Sequence, residues 1–167
     1  MRKNSHFPDL TPYLAAPRER RAAMLREMLR RPDDAFDALM NFSGPYPDHI
    51  HVVDVFPDYL APLLSALLRK HPRLLVDRDL SPLTSGQRWT LLAAAIESGR
   101  PVFANAILAG LRDRNALVKL LVVGAIPERP FLQQPEARPL LLKLRQMKSM
   151  TPHRGDIRRA LAALRRA

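Results

Sequence analysis

Apolar positions along the chain recur mostly at helical spacing. Leu60, Leu63, Leu64, Leu67 and Leu68 stand at i, i+3, i+4, i+7 and i+8, one continuous face of a helix that Pro57-Asp58 opens and Pro72 ends. Met24, Leu25, Met28 and Leu29 form a narrower stripe over Arg18–Arg31, beside a basic face, with Pro17 before it and Pro32 after it. Asp33-Asp34 is placed to cap a next helix, Ala35–Phe42, with Phe36, Leu39 and Met40 inward. A helix over Thr90–Ser98 buries Leu91, Leu92, Ala95 and Ile96, and Gly99 suits a left-handed position just past its end. Pro101 starts another, with Val102, Phe103, Ala106 and Ile107 inward. Asn115–Val123 is apolar on nearly every side, which predicts a central helix. Leu140, Leu141, Leu144 and Met147 mark a further helix, and Ile157, Leu161 and Leu164 a last one. His49–Phe56 alone is β-branched and partly alternating, so it reads as a short strand or an extended loop.

Proline supplies most of the punctuation, because it lacks an N–H yet fits a first helical turn. Ser43-Gly44-Pro45-Tyr46-Pro47 breaks the chain, a polar loop runs from Pro72 to about Gly86, and Gly124 to Pro135 reads as a long turn. The pattern predicts an all-α protein of about eight short helices in stacked antiparallel pairs. A chain of 167 residues is expected to form a single domain with a sizeable core, with residues 1–16 irregular and 150–167 a basic C-terminal helix.

Composition narrows the function classes. The chain has no cysteine, which excludes a disulfide scaffold, Cys-ligated zinc, iron–sulfur clusters and thiol catalysis. No apolar run reaches the ~18 residues of a membrane span. Met1-Arg2-Lys3-Asn4-Ser5-His6 leads into no apolar signal region, so a cytoplasmic location is expected. The Arg/Ala/Leu/Pro bias suggests a GC-rich bacterial coding sequence. The net charge of +11 is uneven. Residues 32–68 carry six aspartates and no Lys or Arg, whereas residues 114–167 carry twelve basic and three acidic residues. The acidic block is expected to neutralise basic residues of its own fold.

The stretch Leu63–Ala116 resembles an ankyrin repeat and its flanks. Leu67-Leu68-Arg69-Lys70-His71-Pro72-Arg73-Leu74-Leu75 looks like the end of an outer helix. Asp79, Gly86 and Thr90 stand where the family has its hairpin Asp, Gly and Thr, with four residues from Gly to Thr in place of two. Thr90-Leu91-Leu92-Ala93-Ala94-Ala95-Ile96-Glu97-Ser98-Gly99 is similar to the inner-helix signature, with Leu91 for the usual Pro and Ala93 for the usual His. Ile107-Leu108 and Gly110 match an outer helix, and Asp113, Asn115 and Ala116 the next hairpin. Flanking units would be degenerate, and a repeat array needs about three units. A compact helical bundle is the other architecture open to this sequence. The resemblance implies a protein-binding adaptor that uses hairpin tips and inner helices. It would place Asp79, Ser85, Gln87, Arg88, Trp89, Ala93, Glu97 and Arg100 at the contact surface. On that reading, charge reversal of Arg88 together with Trp89→Ala weakens partner capture and leaves the melting temperature nearly unchanged.

No nucleophile elbow, Walker loop, dinucleotide fingerprint or HExxH occurs, so no enzyme and no cofactor is expected. Ser85-Gly86-Gln87-Arg88 reads as a hairpin tip, and Trp89 beside it as a packing anchor. His49-x-His51 with Asp54 has the look of a partial metal site, but the set lacks a third ligand at a fixed offset, and solvent-exposed groups are the plainer reading. Arg154, Arg158, Arg159, Arg165 and Arg166 flank the last apolar stripe, and Arg138, Lys143, Arg145 and Lys148 precede them. Such clusters bind phosphate by counterion release, which makes a nucleic-acid-associated protein the alternative function. A small bacterial effector or immunity protein is a third class compatible with the size. The basic helix Arg18–Arg31 is expected to pack as an end cap of the stack rather than lie on a membrane.

Overall fold

The computed structural model describes residues 15–42 and 60–166. His49, His51 and Asp54, the possible strand His49–Phe56 and the opening Pro57-Asp58 lie outside the described residues. Among the described residues there are nine α-helices, short 3-10 turns and no strand, so the protein is all-α. The chain divides into two compact units, Met1–Arg78 and Asp79–Ala167.

The first unit holds α1 (Arg18–Met28), α2 (Pro32–Met40), α3 (Ala61–Lys70) and α4 (Arg73–Val76). Helix α2 packs on the other three. Leu60, Leu63, Leu64, Leu67 and Leu68 are all buried, as their spacing requires, with Phe36, Leu74 and Leu75 among the other core residues. Burial of one such leucine is worth about 1.5–3 kcal/mol, so this stripe holds α3 in place. Pro32 does not merely end α1; it is the first residue of α2. Asp33 and Asp34 therefore sit inside the first turn and make no side-chain cap, acting instead on the positive helix end. Asp33 meets Arg73 at 3.3 Å, and Asp37 meets Arg78 at 3.9 Å. The Arg78 guanidinium lies 4.1 Å over the Phe36 ring. These aspartates thus face cations of their own unit. The His71 ring, at Nε2, is 3.1 Å from the Leu29 carbonyl and ties the end of α3 to the end of α1.

The second unit holds α5 (Ser85–Ser98), α6 (Ala104–Ala109), α7 (Ala116–Ala125), α8 (Ala137–Gln146) and α9 (Arg154–Ala163). Helix α7 packs on α5, on α9 and on the 3-10 turn Gly110–Arg112 that extends α6. Helix α8 packs on α9 and on that same turn. Helix α5 starts five residues before the expected Thr90. Thr84 is its N-cap: its hydroxyl accepts from the Gln87 N–H at 3.2 Å, and the Gln87 side chain accepts from the Thr84 N–H at 3.0 Å. This reciprocal pair satisfies two otherwise unpaired donors and fixes the start. Ser85-Gly86-Gln87-Arg88 is accordingly the first turn of a helix and not a hairpin tip. Gly99 ends α5 at φ +68°, the left-handed conformation expected of it.

Two expectations about sidedness fail. Val102 is exposed, because it follows Pro101 on the outer side of a 3-10 turn while Phe103 turns inward. Helix α7 is central, yet Leu117 is 66% exposed, and Leu120 and Leu121 are half-buried. Among the described residues no helix is long and apolar enough to cross a membrane.

Candidate functional site

The residues nominated on α5 separate into two sets. Gln87 serves the capping box. Arg88 serves the fold: its Nε donates to Asp113 Oδ2 at 2.6 Å and its Nη2 to Asp113 Oδ1 at 3.1 Å. Arg88 Nη1 also donates to the Leu83 carbonyl. Asp113 Oδ1 accepts the Asn115 N–H at 2.8 Å, and Asn115 Oδ1 accepts the Leu117 N–H at 2.8 Å, which caps α7. One ion pair therefore joins the start of α5, the end of the α6 extension and the start of α7. The Arg88 side chain is 19% exposed and that of Asp113 9%. Hydrogen bonding to Arg88 holds the Asp113 carboxyl below its usual range against the opposing effect of burial, and the same pairing raises the Arg88 guanidinium. Charge reversal of Arg88 is therefore expected to lower stability, against the unchanged melting temperature that the contact-surface reading implies.

The other nominated residues lie outward. Trp89 and Ala93 are half-buried and Glu97 exposed, on the side of α5 opposite Leu91, Leu92 and Ala95. Ser85 is half-buried in the first turn, and Arg100 is half-buried just past Gly99, where its N–H reaches Ser98 Oγ at 3.4 Å. Asp79 is exposed and folds back on Ser81, whose N–H and hydroxyl donate to it at 2.9 and 2.7 Å. These bonds lower its carboxyl below the ordinary value. On α7 the residues Leu117, Leu120, Leu121 and Gly124 share the outward side at i, i+3, i+4 and i+7.

The C-terminal arginines come out as a basic face. Arg138, Lys143 and Arg145 on α8, Lys148 on the following turn, and Arg154, Arg158, Arg159, Arg165 and Arg166 on and after α9 are all exposed. Among the described residues the ion pairs of this region are those of Asp156, with Arg159 and, at 3.9 Å, with His153. Apart from Arg159, eight of these cations have no carboxylate within ion-pair range among the described residues. The apolar side of α9, Ile157 and Ala160, is buried, which fixes the arginines outward. Among the described residues no group of three His, Asp or Glu comes together as metal ligands would.

Comparison with protein families, with curated proteins and with solved structures finds no match.

Proposed function

We propose that this chain is a binding protein that holds an anionic macromolecular partner on the basic face of α8 and α9. The observation that carries this reading is the set of eight exposed Lys and Arg side chains between Arg138 and Arg166 that meet no carboxylate among the described residues. Neutralising its phosphates or carboxylates there releases counterions, a driving force that needs no pocket and no reacting group. Elution from immobilised heparin tests the reading. Arg158→Glu with Arg165→Glu should elute at markedly lower salt than the native chain. The same two charge changes at Arg20 and Arg26, exposed on α1, are the control. Equal shifts from both variants would show that overall charge, and not this face, governs binding.

A second reading, docking of another protein in the manner of an ankyrin-like adaptor, is favoured by the outward stripe of α7. Leu117 stands exposed beside half-buried Leu120 and Leu121, an apolar stripe of the kind a partner protein covers. The order of packing, α5 on α7 and α7 on α9, is also that of successive inner helices. Leu117→Glu should then abolish capture of the partner with little change in stability. Undiminished capture sinks this reading.

A further inference from the structure

Resting on the basic-face reading, we infer that the anionic partner is double-stranded DNA, gripped through its phosphates by α9 without regard to sequence. The cations differ in where they stand relative to the helix ends. Lys143 and Arg145 lie in the last turn of α8, and Arg165 and Arg166 just past the end of α9, where a cation is favoured by the negative end of the helix. Arg138 is the second residue of α8 and Arg154 the first of α9, where the positive helix end disfavours them. Fold electrostatics account for the first four and oppose the last two. Against a phosphate surface the sign reverses, and the misplaced arginines become attractive.

The shape of α9 also suits a duplex. Arg154, Arg158 and Arg165 recur at i, i+4 and i+11 along one flank, and Arg159 and Arg166 at i and i+7 along another, roughly 100° round the helix. Gly155 and Ala162 fall between the two rows. The turn after α9 continues it, with Arg165 N–H donating to the Ala162 carbonyl and Arg166 N–H to that of Ala163. A helix with a smooth crest and arginines on both flanks suits the major groove of B-form DNA, about 12 Å wide and walled by phosphates. The deep, narrow major groove of A-form RNA does not admit a helix.

Other anionic partners fit this face less well. Single strands are held by stacking on aromatic side chains, and the sequence has none after Phe131. Cations alone hold an anionic membrane weakly, and firm binding adds an apolar wedge. The large hydrophobic residues exposed among the described residues are Val76, Val102 and Leu117, none of them on this face. Helix α9 carries no Asn, Gln, Ser or Thr to read base edges, and its arginines, the residues that read guanine, stand on the two flanks toward the phosphates, hence the indifference to sequence.

Fluorescence anisotropy on the full chain tests the inference, with a labelled 20-base-pair duplex, one of its strands alone, polyglutamate and phosphatidylserine vesicles as probes. The duplex should bind tightest, and two unrelated duplex sequences should bind alike. With Arg138 and the five arginines of α9 and its turn engaged, the log–log salt slope should be about −5, a loss of roughly 10³-fold between 50 and 200 mM salt. The variant Arg138→Gln/Arg154→Gln/Arg158→Gln should lose on the order of 10²-fold in duplex affinity at 0.1 M salt, with its melting temperature unchanged or raised. Equal or tighter binding of the single strand, polyglutamate or vesicles overturns the DNA inference while leaving the basic face as the binding site. Binding of no polyanion at 50 mM salt overturns both. Duplex affinity unchanged in the triple variant overturns the role given to these arginines.

Discussion

Replacement of Asp113 is the sharpest test of how the second unit holds together. Asp113→Ala removes both guanidinium contacts, at 2.6 and 3.1 Å, and the acceptor of the Asn115 N–H. It leaves Arg88 as a mostly buried cation with the Leu83 carbonyl as its remaining acceptor. Breaking a fully buried ion pair costs about 3–5 kcal/mol, and an exposed one ~1 or less. With side chains 19% and 9% exposed, this pair falls between those limits, at about 2–3 kcal/mol. For a chain of this size that corresponds to a fall of roughly 5–10 °C in melting temperature. Arg88→Ala should cost a similar amount, and the double variant little more than either single one, because the two changes break the same interaction. The pH dependence follows from the lowered Asp113 carboxyl. Its stabilisation is complete above the unfolded value of about 3.9 and is lost as the pH falls through the lower folded value. The gap in urea midpoint between native chain and Asp113→Asn should therefore be widest near neutrality and close at strongly acid pH. Additive single effects, or a gap that widens on acidification, would refute the account.

Other expected outcomes concern local geometry. A Cβ on Gly110 would lie 2.9 Å from Leu92 Cδ1 and 2.9 Å from Val122 Cγ2, so Gly110→Ala should cost about 1–2 kcal/mol by urea denaturation. Gly124, inside α7 with open space around it, gives the opposite sign: Gly124→Ala should stabilise by up to ~1 kcal/mol. Thr84→Ala removes the capping box and should lower stability by about 1 kcal/mol, with faster amide exchange in the first turn of α5.

Much of the helical layout is legible in the sequence, because one-sided apolar spacing is a direct record of burial. The stripe from Leu60 to Leu68 and the turn at Gly99 are cases. The start of α5 is legible too, but in a different signal. Thr84-x-x-Gln87 is the spacing of a capping box, and it outweighs the apparent match of Gly86 and Thr90 to a hairpin. Helix α7 shows where spacing fails. A segment apolar all round carries no record of which side faces out, so the exposure of Leu117 depends on where α5, α9 and the Gly110 turn lie. The Arg88–Asp113 pair joins residues 25 apart in the chain, and neither residue type nor spacing marks them as partners. That is why Arg88, on a polar surface pattern, looks like a contact residue and is a fold residue. The basic face is visible as composition, but its lack of neutralising carboxylates is a property of the packed structure.

That lack has a consequence for stability which separates the two units. In the first, Asp33 and Asp37 stand one turn apart on α2 opposite Arg73 and Arg78, so these four charges attract within the unit. Such exposed pairs are worth about 0–1 kcal/mol, and salt weakens them. In the second, the cations of α8 and α9 repel one another, and salt relieves that repulsion over a Debye length of about 10 Å at 0.1 M. The part-buried Arg88–Asp113 pair is screened much less. Raising salt from 10 to 300 mM should therefore slow amide exchange in α8 and α9 relative to α2 and α4. Arg154→Gln with Arg158→Gln, which removes part of the repulsion, should reduce that response. Faster exchange in α8 and α9 at high salt would mean that their arginines are held by attractive partners, and the basic face would lose its standing as an unneutralised surface.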